Sequence, residues 1–167
     1  MKQALSKLVL LPWALTVEMW RYNLFSGGIQ EPDMIAKWWE FRKEFQGVDP
    51  PDLEGSLLFD PASKYHVALN IPYLRYFLSR FLEHHFLEAL CSAAGHPLHD
   101  CCFVTSATAG KRLRSMLSLG ASVSWQKALW VLTRERRLSS KPLLKYYKPL
   151  HDWLIQHNSA NNITPSW

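Results

Sequence analysis

The sequence has no apolar run that approaches the roughly 20 residues of a membrane-spanning helix, so the chain by itself is not an integral membrane protein. It also lacks any sustained alternation of apolar and polar residues, which is the pattern of β-strands. A content of 48% hydrophobic and 13% aromatic residues excludes disorder outside the tail. In 167 residues it is enough for the core of one helical domain.

Cysteine is scarce, with three residues at positions 91, 101 and 102. Neither a Cys-x-x-Cys pair nor histidines at ligand spacing accompany them, which argues against a zinc site built on cysteine. One disulfide is the expected use of these residues, and it implies an oxidising compartment. The residues alone leave open whether Cys102 takes part in that bond.

The metalloprotease pattern His-Glu-x-x-His is missing, and so is its inverse. His84, His85 and Glu88 lie close together, but their order fits neither pattern, so we interpret them as structural residues and predict no metal ligand in this chain. The net charge of +5 and the pI near 9.2 come without any nucleic-acid-binding motif. We therefore predict a solvated basic surface and no nucleic-acid partner.

Apolar residues recur at three- and four-residue steps, which predicts an all-α fold. The apolar run from Leu8 to Leu15 lacks a small-x-small cleavage site, so we interpret it as a helix kinked at Pro12 and not as a signal peptide. Further helices are predicted from Pro32 to about Phe45, Pro72 to Leu90, Ala107 to Leu119, Ser124 to about Arg134, and Pro142 to His157 with an interruption at Pro149. Gly47 to Gly55 reads as a turn-rich connection, and Asn158 to Trp167 as a fraying tail.

Four polar side chains fall within the stretch from Lys64 to Tyr76. If the segment is extended, Lys64 and His66 leave the backbone on one face because they are two residues apart. Pro72 suits the first turn of a helix, where Tyr73 and Tyr76 share a face. A cation, an imidazole and two phenols suit a substrate that carries a carboxylate or a carbonyl. The alternative is a strand end that enters an aromatic core helix.

Three motifs carry a resemblance to a known family: Lys-Tyr-His-Val at 64–67, Pro-Tyr-Leu-Arg-Tyr-Phe at 72–77 and Glu-Ala-Leu-Cys at 88–91. Their order and spacing resemble the signature of the angiotensin-converting-enzyme family of peptidyl-dipeptidases. Similar pieces flank them, including Trp-Arg at 20–21, Phe-Ser-Gly at 25–27, Trp-Trp-x-x-Arg at 38–42, Phe-Asp-Pro at 59–61, Pro-Leu-His at 97–99 and Lys-Pro-Leu-x-x-Trp-Leu at 148–154. The resemblance extends to about Asn158.

This resemblance implies that residues 1–157 form the C-terminal part of a larger, two-lobed and mostly helical zinc-peptidase domain with a central cleft, followed by a flexible tail at 158–167. Met1 would lie inside that domain, downstream of its zinc motif. The family's cofactors are zinc and chloride, and its substrates are peptides with a free C-terminus. The implied location is extracellular or secreted, with any membrane tether in segments outside this chain. The missing N-terminal part of the domain is the implied partner.

The resemblance also implies roles for single residues. Lys64 and Tyr73 hold the C-terminal carboxylate of the peptide, and this clamp sets the removal of dipeptides. His66 and Tyr76 bind backbone carbonyls, with Tyr76 stabilising the oxyanion, so these two are the catalytic residues. Arg75 binds a chloride ion and helps to orient the tyrosines.

The other chloride site is implied at Trp38 and Arg42, together with an arginine outside this chain. On the residues alone, a cation-π pair between the two is the alternative. The family disulfide falls on Cys91 and Cys101. The sequon Asn162-Ile163-Thr164 makes Asn162 a candidate for glycosylation.

Two hypotheses follow from these implications. In the first, the chain is the substrate-clamp and chloride-site part of a zinc peptidyl-dipeptidase, and it is inactive alone because the zinc motif is absent. In the second, it is a truncated or degenerate homologue that binds peptides or proteins without cleaving them. Three departures from the family pattern, Tyr65 for Phe, Ala68 for Pro and Arg80 for an aromatic residue, predict altered specificity or lost activity.

Overall fold

The computed structural model describes residues 1–51 and 59–164. Within these ranges the chain is helical and contains no strand, which confirms the all-α prediction. The helices are α1 (Lys2–Lys7), α2 (Leu10–Phe25), α3 (Met34–Gln46), α4 (Tyr65–Ala68), α5 (Leu74–Ala94), α6 (Ala107–Leu117), α7 (Trp125–Thr133) and α8 (Lys141–Ala160). Short 3-10 turns occur at Glu31–Asp33 and Asp60–Ser63. Among these described helices, none has both the length and the apolarity to cross a membrane.

The chain divides into two units. Unit 1 comprises Met1–Leu78 and Gln156–Trp167, and unit 2 comprises Ser79–Ile155, so both boundaries fall inside helices. The core of unit 1 is built on tryptophan, because Trp38 packs edge-to-face against both Trp13 and Trp20 with ring centroids 5.7 Å apart. The core of unit 2 is aliphatic and comprises Ala89, Leu90, Ala109, Met116 and Leu132.

Two prolines affect their helices differently from the sequence prediction. The first helical segment is not kinked at Pro12 but interrupted at Leu8 and Val9, so that Pro12 lies in the first turn of α2. Proline has no N–H to donate to the carbonyl of Leu8, and its ring would clash there, so the ladder breaks one turn earlier. The predicted interruption at Pro149 is also wrong, because α8 continues through it.

An ion pair bridges the proline in α8. Lys148 contacts Asp152 at 2.6 Å, four residues on. Its hydrogen bond lowers the pKa of the Asp152 carboxyl below the usual range. The helix continues to Ala160, three residues beyond the predicted end. Asn162 is exposed in the turn that follows.

Other predicted boundaries agree more closely with the structure. Helix α3 ends at Gly47, whose φ of +63° is the left-handed conformation that favours glycine at a helix C-terminus. Ser124 is the N-cap of α7, as predicted, and its hydroxyl accepts from the Lys127 amide. The start of α5 lies at Leu74, so Pro72 precedes the helix instead of occupying its first turn. Of the predicted Gly47 to Gly55 connection, residues 52–55 lie outside the described residues, as do residues 165–167 of the predicted tail.

A buried ion pair fixes the loop between α4 and α5. Glu18 and Arg21 on α2 are 2% and 5% exposed, and their side chains meet at 2.6 Å. Arg21 also donates to the Ile71 carbonyl at 3.1 Å and to the Asn70 side chain at 2.6 Å. Glu18 accepts the backbone N–H of Tyr73. The pair therefore provides partners for polar groups of the loop, including the buried N–H of Tyr73.

Cys91 near the end of α5 is bonded to Cys101, with Cα atoms 5.6 Å apart and a sequence separation of 10. This is the pairing that the family resemblance implies. Cys102 is free and exposed, so it is not the partner in this structure. Closing a loop of about this size removes roughly 3 kcal/mol of chain entropy from the unfolded state.

The disulfide generates a first prediction. Replacing both cysteines by alanine should lower the free energy of unfolding by about 3 kcal/mol, measured by urea denaturation followed by circular dichroism. Cys102→Ser is the matched control and should change the value by less than about 0.5 kcal/mol, because its side chain is exposed. Non-reducing peptide mapping that recovers Cys91 bonded to Cys102 would contradict the assignment.

The buried pair generates a second prediction. Glu18→Gln should destabilise the chain by about 3 to 5 kcal/mol, since Arg21 is left as a buried charge without its carboxylate. Glu40→Gln is the control, because that glutamate pairs with Lys37 at an exposed site. It should cost less than about 1 kcal/mol. Equal thermal shifts for the two variants would argue that the buried pair does not fix the loop.

Candidate functional site

Lys64 and His66 converge on Tyr73 without lying on an extended segment. Lys64 has extended backbone angles, but residues Tyr65–Ala68 form the short helix α4, so the predicted two-residue alternation is wrong. The loop after α4 reverses direction at Asn70, whose φ is +53° and whose side chain is held by Arg21. This reversal brings α4 next to the start of α5. The side chains therefore meet through a helix–loop–helix arrangement and not through a strand.

Three rings form the centre of the site, which we call the His66 cluster and define as Lys64, His66, Tyr73 and Tyr76. The ring centroid of His66 lies 4.9 Å from that of Tyr73 and 5.3 Å from that of Tyr76, both edge-to-face. The two tyrosine rings are 4.7 Å apart. His66 Nε2 lies 3.0 Å from the Tyr76 hydroxyl, within hydrogen-bond distance. The four polar side chains that were singled out between Lys64 and Tyr76 thus lie together.

The buried ring of Tyr73 anchors this cluster. The Trp13 indole N–H donates to its hydroxyl at 3.2 Å, and Glu18 accepts its backbone N–H. The Lys64 ammonium lies 5.3 Å from the centroid of the Tyr73 ring, in a cation-π contact. Lys64 is only half-buried, so its ammonium can leave the ring for an anion in the solvent. The Tyr73 ring therefore holds a cation next to the tyrosine and histidine side chains of the cluster.

One nitrogen of His66 has no partner. Its Nδ1 is buried, and no hydrogen-bonding group of the described residues reaches it. When Nε2 carries the proton, it donates to the Tyr76 oxygen. The alternative tautomer accepts from Tyr76 and places the proton on Nδ1. An imidazole and a phenol thus lie within hydrogen-bond distance of each other, and both are groups that can take part in oxyanion binding.

The two residues of the predicted chloride site have protein partners. Trp38 is fully buried, and its indole N–H donates to the Asp60 carboxylate at 2.7 Å. The guanidinium of Arg42 lies over Trp13 and Trp39, at 5.2 and 5.4 Å from their ring centroids. The alternative, a cation-π pair between Trp38 and Arg42, is therefore wrong, because Arg42 makes its cation-π contacts with Trp13 and Trp39.

Arg42 retains one unsatisfied donor, because its Nε is buried and no group of the described residues accepts from it. An anion could take that bond, whereas Trp38 would first have to release Asp60. Arg75 is exposed on α5, between the two tyrosines in sequence. Arg80, predicted to replace a pocket aromatic, pairs with Glu83 on the same helix.

His84, His85 and Glu88 each have a structural partner. His84 Nδ1 lies 2.7 Å from the Arg80 carbonyl, and His85 Nε2 lies 3.1 Å from backbone atoms of Ser139. Glu88 pairs with Lys145. Across residues 1–51 and 59–164, no group of three His, Cys, Asp or Glu side chains could hold a metal ion. The described residues therefore do not fit a zinc site.

A cavity of about 540 Å³ lies in unit 2 and is lined by His85, Glu88, Arg112, Glu135 and Lys145 among others. Both of these glutamates have partners: Glu88 pairs with Lys145, and Glu135 lies 3.3 Å from His85 Nδ1. It contains no residue of the His66 cluster. We therefore base the candidate site on the cluster and not on this cavity.

The sequence prediction missed the residues that position the cluster: Trp13, Glu18, Arg21 and Asn70. One signal was present, because Glu18 and Arg21 are charged residues three apart within the mainly apolar segment of α2. Charged residues at that spacing in an apolar helix indicate a buried pair. The loop atoms that they bind lie about 50 residues further along the chain and leave no local signal.

Comparison with known proteins identifies the family of the chain. A family model described as angiotensin-converting enzyme matches residues 1–167. The angiotensin-converting enzyme of Theromyzon tessulatum is 43% identical over 92% of the chain, and that of Oryctolagus cuniculus is 39% identical over all of it. The angiotensin-converting enzyme-like protein Ace3 of Mus musculus is 40% identical over 98%.

The chain is shorter than these relatives, since it spans 25%, 13% and 22% of their respective lengths. The family match nevertheless covers every residue of the chain, including the whole His66 cluster. The chain therefore belongs to the angiotensin-converting enzyme family.

Proposed function

We propose that this chain provides the substrate clamp of a zinc-dependent peptidyl-dipeptidase, an enzyme that removes dipeptides from the C-terminus of peptides. The observation that carries the proposal is the hydrogen bond between His66 and Tyr76, with an unpaired His66 nitrogen, beside a half-buried lysine. Such a set offers donors for peptide carbonyls and a cation for a terminal carboxylate. Membership of the family supports the reaction class.

Lys64 and Tyr73 bind the carboxylate in this proposal. The Lys64 ammonium moves from the Tyr73 ring to the anion, where a charge-assisted bond replaces a weaker cation-π contact. The Tyr73 hydroxyl accepts from Trp13 and keeps its own proton to donate. Because Tyr73 is held by Trp13 and Glu18, the clamp is positioned before substrate arrives.

Tyr76 binds a backbone carbonyl of the peptide in this proposal, and His66 supports it. With the proton on Nε2, His66 donates to the Tyr76 oxygen and so makes the phenol a better donor to an oxygen that gains negative charge. Arg42 contributes a chloride site through its unpaired Nε, with Trp38 joining if it leaves Asp60. Arg75 provides the second chloride site from the surface of α5.

The described residues do not fit zinc, so no step of the reaction is assigned to a metal here. We propose that the zinc ligands come from the rest of the domain, outside this chain. The Cys91–Cys101 bond supports an extracellular or secreted location, and the exposed Asn162 sequon is compatible with glycosylation there. A non-catalytic peptide-binding homologue is the second candidate, since the clamp residues would bind peptide without a metal.

The clamp predicts a preference for free carboxylates. The chain should bind a peptide with a free C-terminus more tightly than the same peptide with a C-terminal amide, measured by calorimetric titration. Lys64→Ala should remove that preference at a cost of about 1.5 to 3 kcal/mol for the free acid only. Lys37→Ala is the control, because Lys37 is exposed and pairs with Glu40.

Tyr76→Phe should leave the preference for the free acid intact and lower turnover when the domain is complete, because its donor acts on charge that develops during reaction. If Lys64→Ala weakened acid and amide peptides equally, the carboxylate role would be wrong. Loss of circular dichroism signal in either variant would be checked first, so that a folding defect is not read as lost binding.

The chain alone should be catalytically inert. Incubation of the purified 167-residue chain with a blocked tripeptide, zinc and chloride should release no dipeptide, and a metal titration should show no tight 1:1 zinc binding. Chelator-sensitive release of dipeptide would overturn this. His84→Ala and His85→Ala variants would then test whether those histidines hold the metal, although both now bond to backbone atoms.

A further inference from the structure

Three cations converge on one indole ring at the end of α7. The Lys127 ammonium lies 4.7 Å from the centroid of the Trp130 ring, and the guanidinium carbons of Arg134 and Arg136 lie at 4.8 and 5.6 Å. All three cationic residues are exposed, whereas Trp130 is half-buried. We call Lys127, Trp130, Arg134 and Arg136 the Trp130 cluster. It shares no residue with the His66 cluster.

Carboxylates of the described residues do not pair with these cations. Within the part of the chain that the structure describes, Lys127, Arg134 and Arg136 form no ion pair. Glu135 lies between the two arginines in sequence, but its carboxylate faces His85. Residues 103–140 contain this single acidic residue and seven basic ones, Lys111, Arg112, Arg114, Lys127, Arg134, Arg136 and Arg137. The positive charge of the chain is therefore concentrated in this region.

The backbone of Arg134 adds a second observation. Arg134 has φ +68° and ψ +11° at the C-terminus of α7, a left-handed conformation that usually belongs to glycine. An arginine here carries conformational strain, and its guanidinium lies over the Trp130 ring. Glycine would cap the helix better. The residue is thus better suited to supplying charge than to ending a helix.

We propose that the Trp130 cluster is a binding surface for a sulfated polysaccharide. Arginine matches the geometry of tetrahedral oxyanions through paired N–H groups, and a row of exposed cations binds a polyanion by releasing its counterions. The Cys91–Cys101 bond indicates an oxidising compartment, where sulfated glycans are the abundant polyanions and nucleic acids are not. Cations cover the Trp130 ring, so it is not free to insert into a lipid surface. This inference is independent of the proposed peptidase function.

The test uses two triple variants with the same change in net charge. The cluster variant is Lys127→Gln, Arg134→Gly and Arg136→Gln. The control variant is Lys37→Gln, Lys43→Gln and Lys148→Gln, which removes three exposed lysines that each pair with a carboxylate. Arg134→Gly alone should keep or raise the unfolding temperature, because it relieves the left-handed strain. Stability and binding should therefore change in different directions.

Binding is measured with a heparin oligosaccharide at increasing NaCl concentration. We expect the cluster variant to lose about tenfold or more in affinity at about 0.15 M salt, and the slope of log K against log salt to fall by about two. The control variant should lose less than about threefold. Equal losses of heparin affinity in the two variants would show that net charge alone determines binding, and this would overturn the proposal. Tighter binding to phosphatidylserine vesicles or to single-stranded DNA than to heparin would overturn it as well.

Discussion

The candidate site depends on the pairing of Glu18 with Arg21, two charges that α2 carries into the interior of unit 1. Each would be costly to bury alone, and together they use their remaining hydrogen-bonding capacity on the loop before α5. The Tyr73 backbone is tied to Glu18 and the Asn70 side chain to Arg21, so the loop has one conformation that satisfies both. These polar contacts position the His66 cluster.

Much of the fold was predictable because its signals are local. Helical periodicity indicated the all-α class, and Ser124 marked the start of α7 through its cap. Proline was less informative, because its effect on a helix depends on its position. The helix breaks one turn before Pro12, whereas α8 continues through Pro149. The local sequence does not show whether a helix tolerates a proline, because the packing of the whole helix can offset the lost hydrogen bond.

The candidate site was predictable in its members but not in its support. The motif placed Lys64, His66, Tyr73 and Tyr76 within 13 residues, and the structure brings them together by a short helix instead of the expected extended segment. The partners of Trp38 and Arg42 were not predictable from the sequence. Several aromatic rings could lie under the Arg42 guanidinium, and several carboxylates distant in sequence could accept the Trp38 N–H. Long-range hydrogen bonds of this kind leave no periodic pattern.

Trp13 touches both the candidate anion site and the substrate clamp. Its ring lies under the Arg42 guanidinium, and its indole N–H donates to the Tyr73 hydroxyl. An anion that draws Arg42 away from the ring changes the contacts of the same indole that orients Tyr73. In the proposed function, the anion site and the clamp therefore both depend on Trp13. Thermodynamic linkage would make their coupling reciprocal: if an anion strengthens peptide binding, bound peptide strengthens anion binding by the same factor.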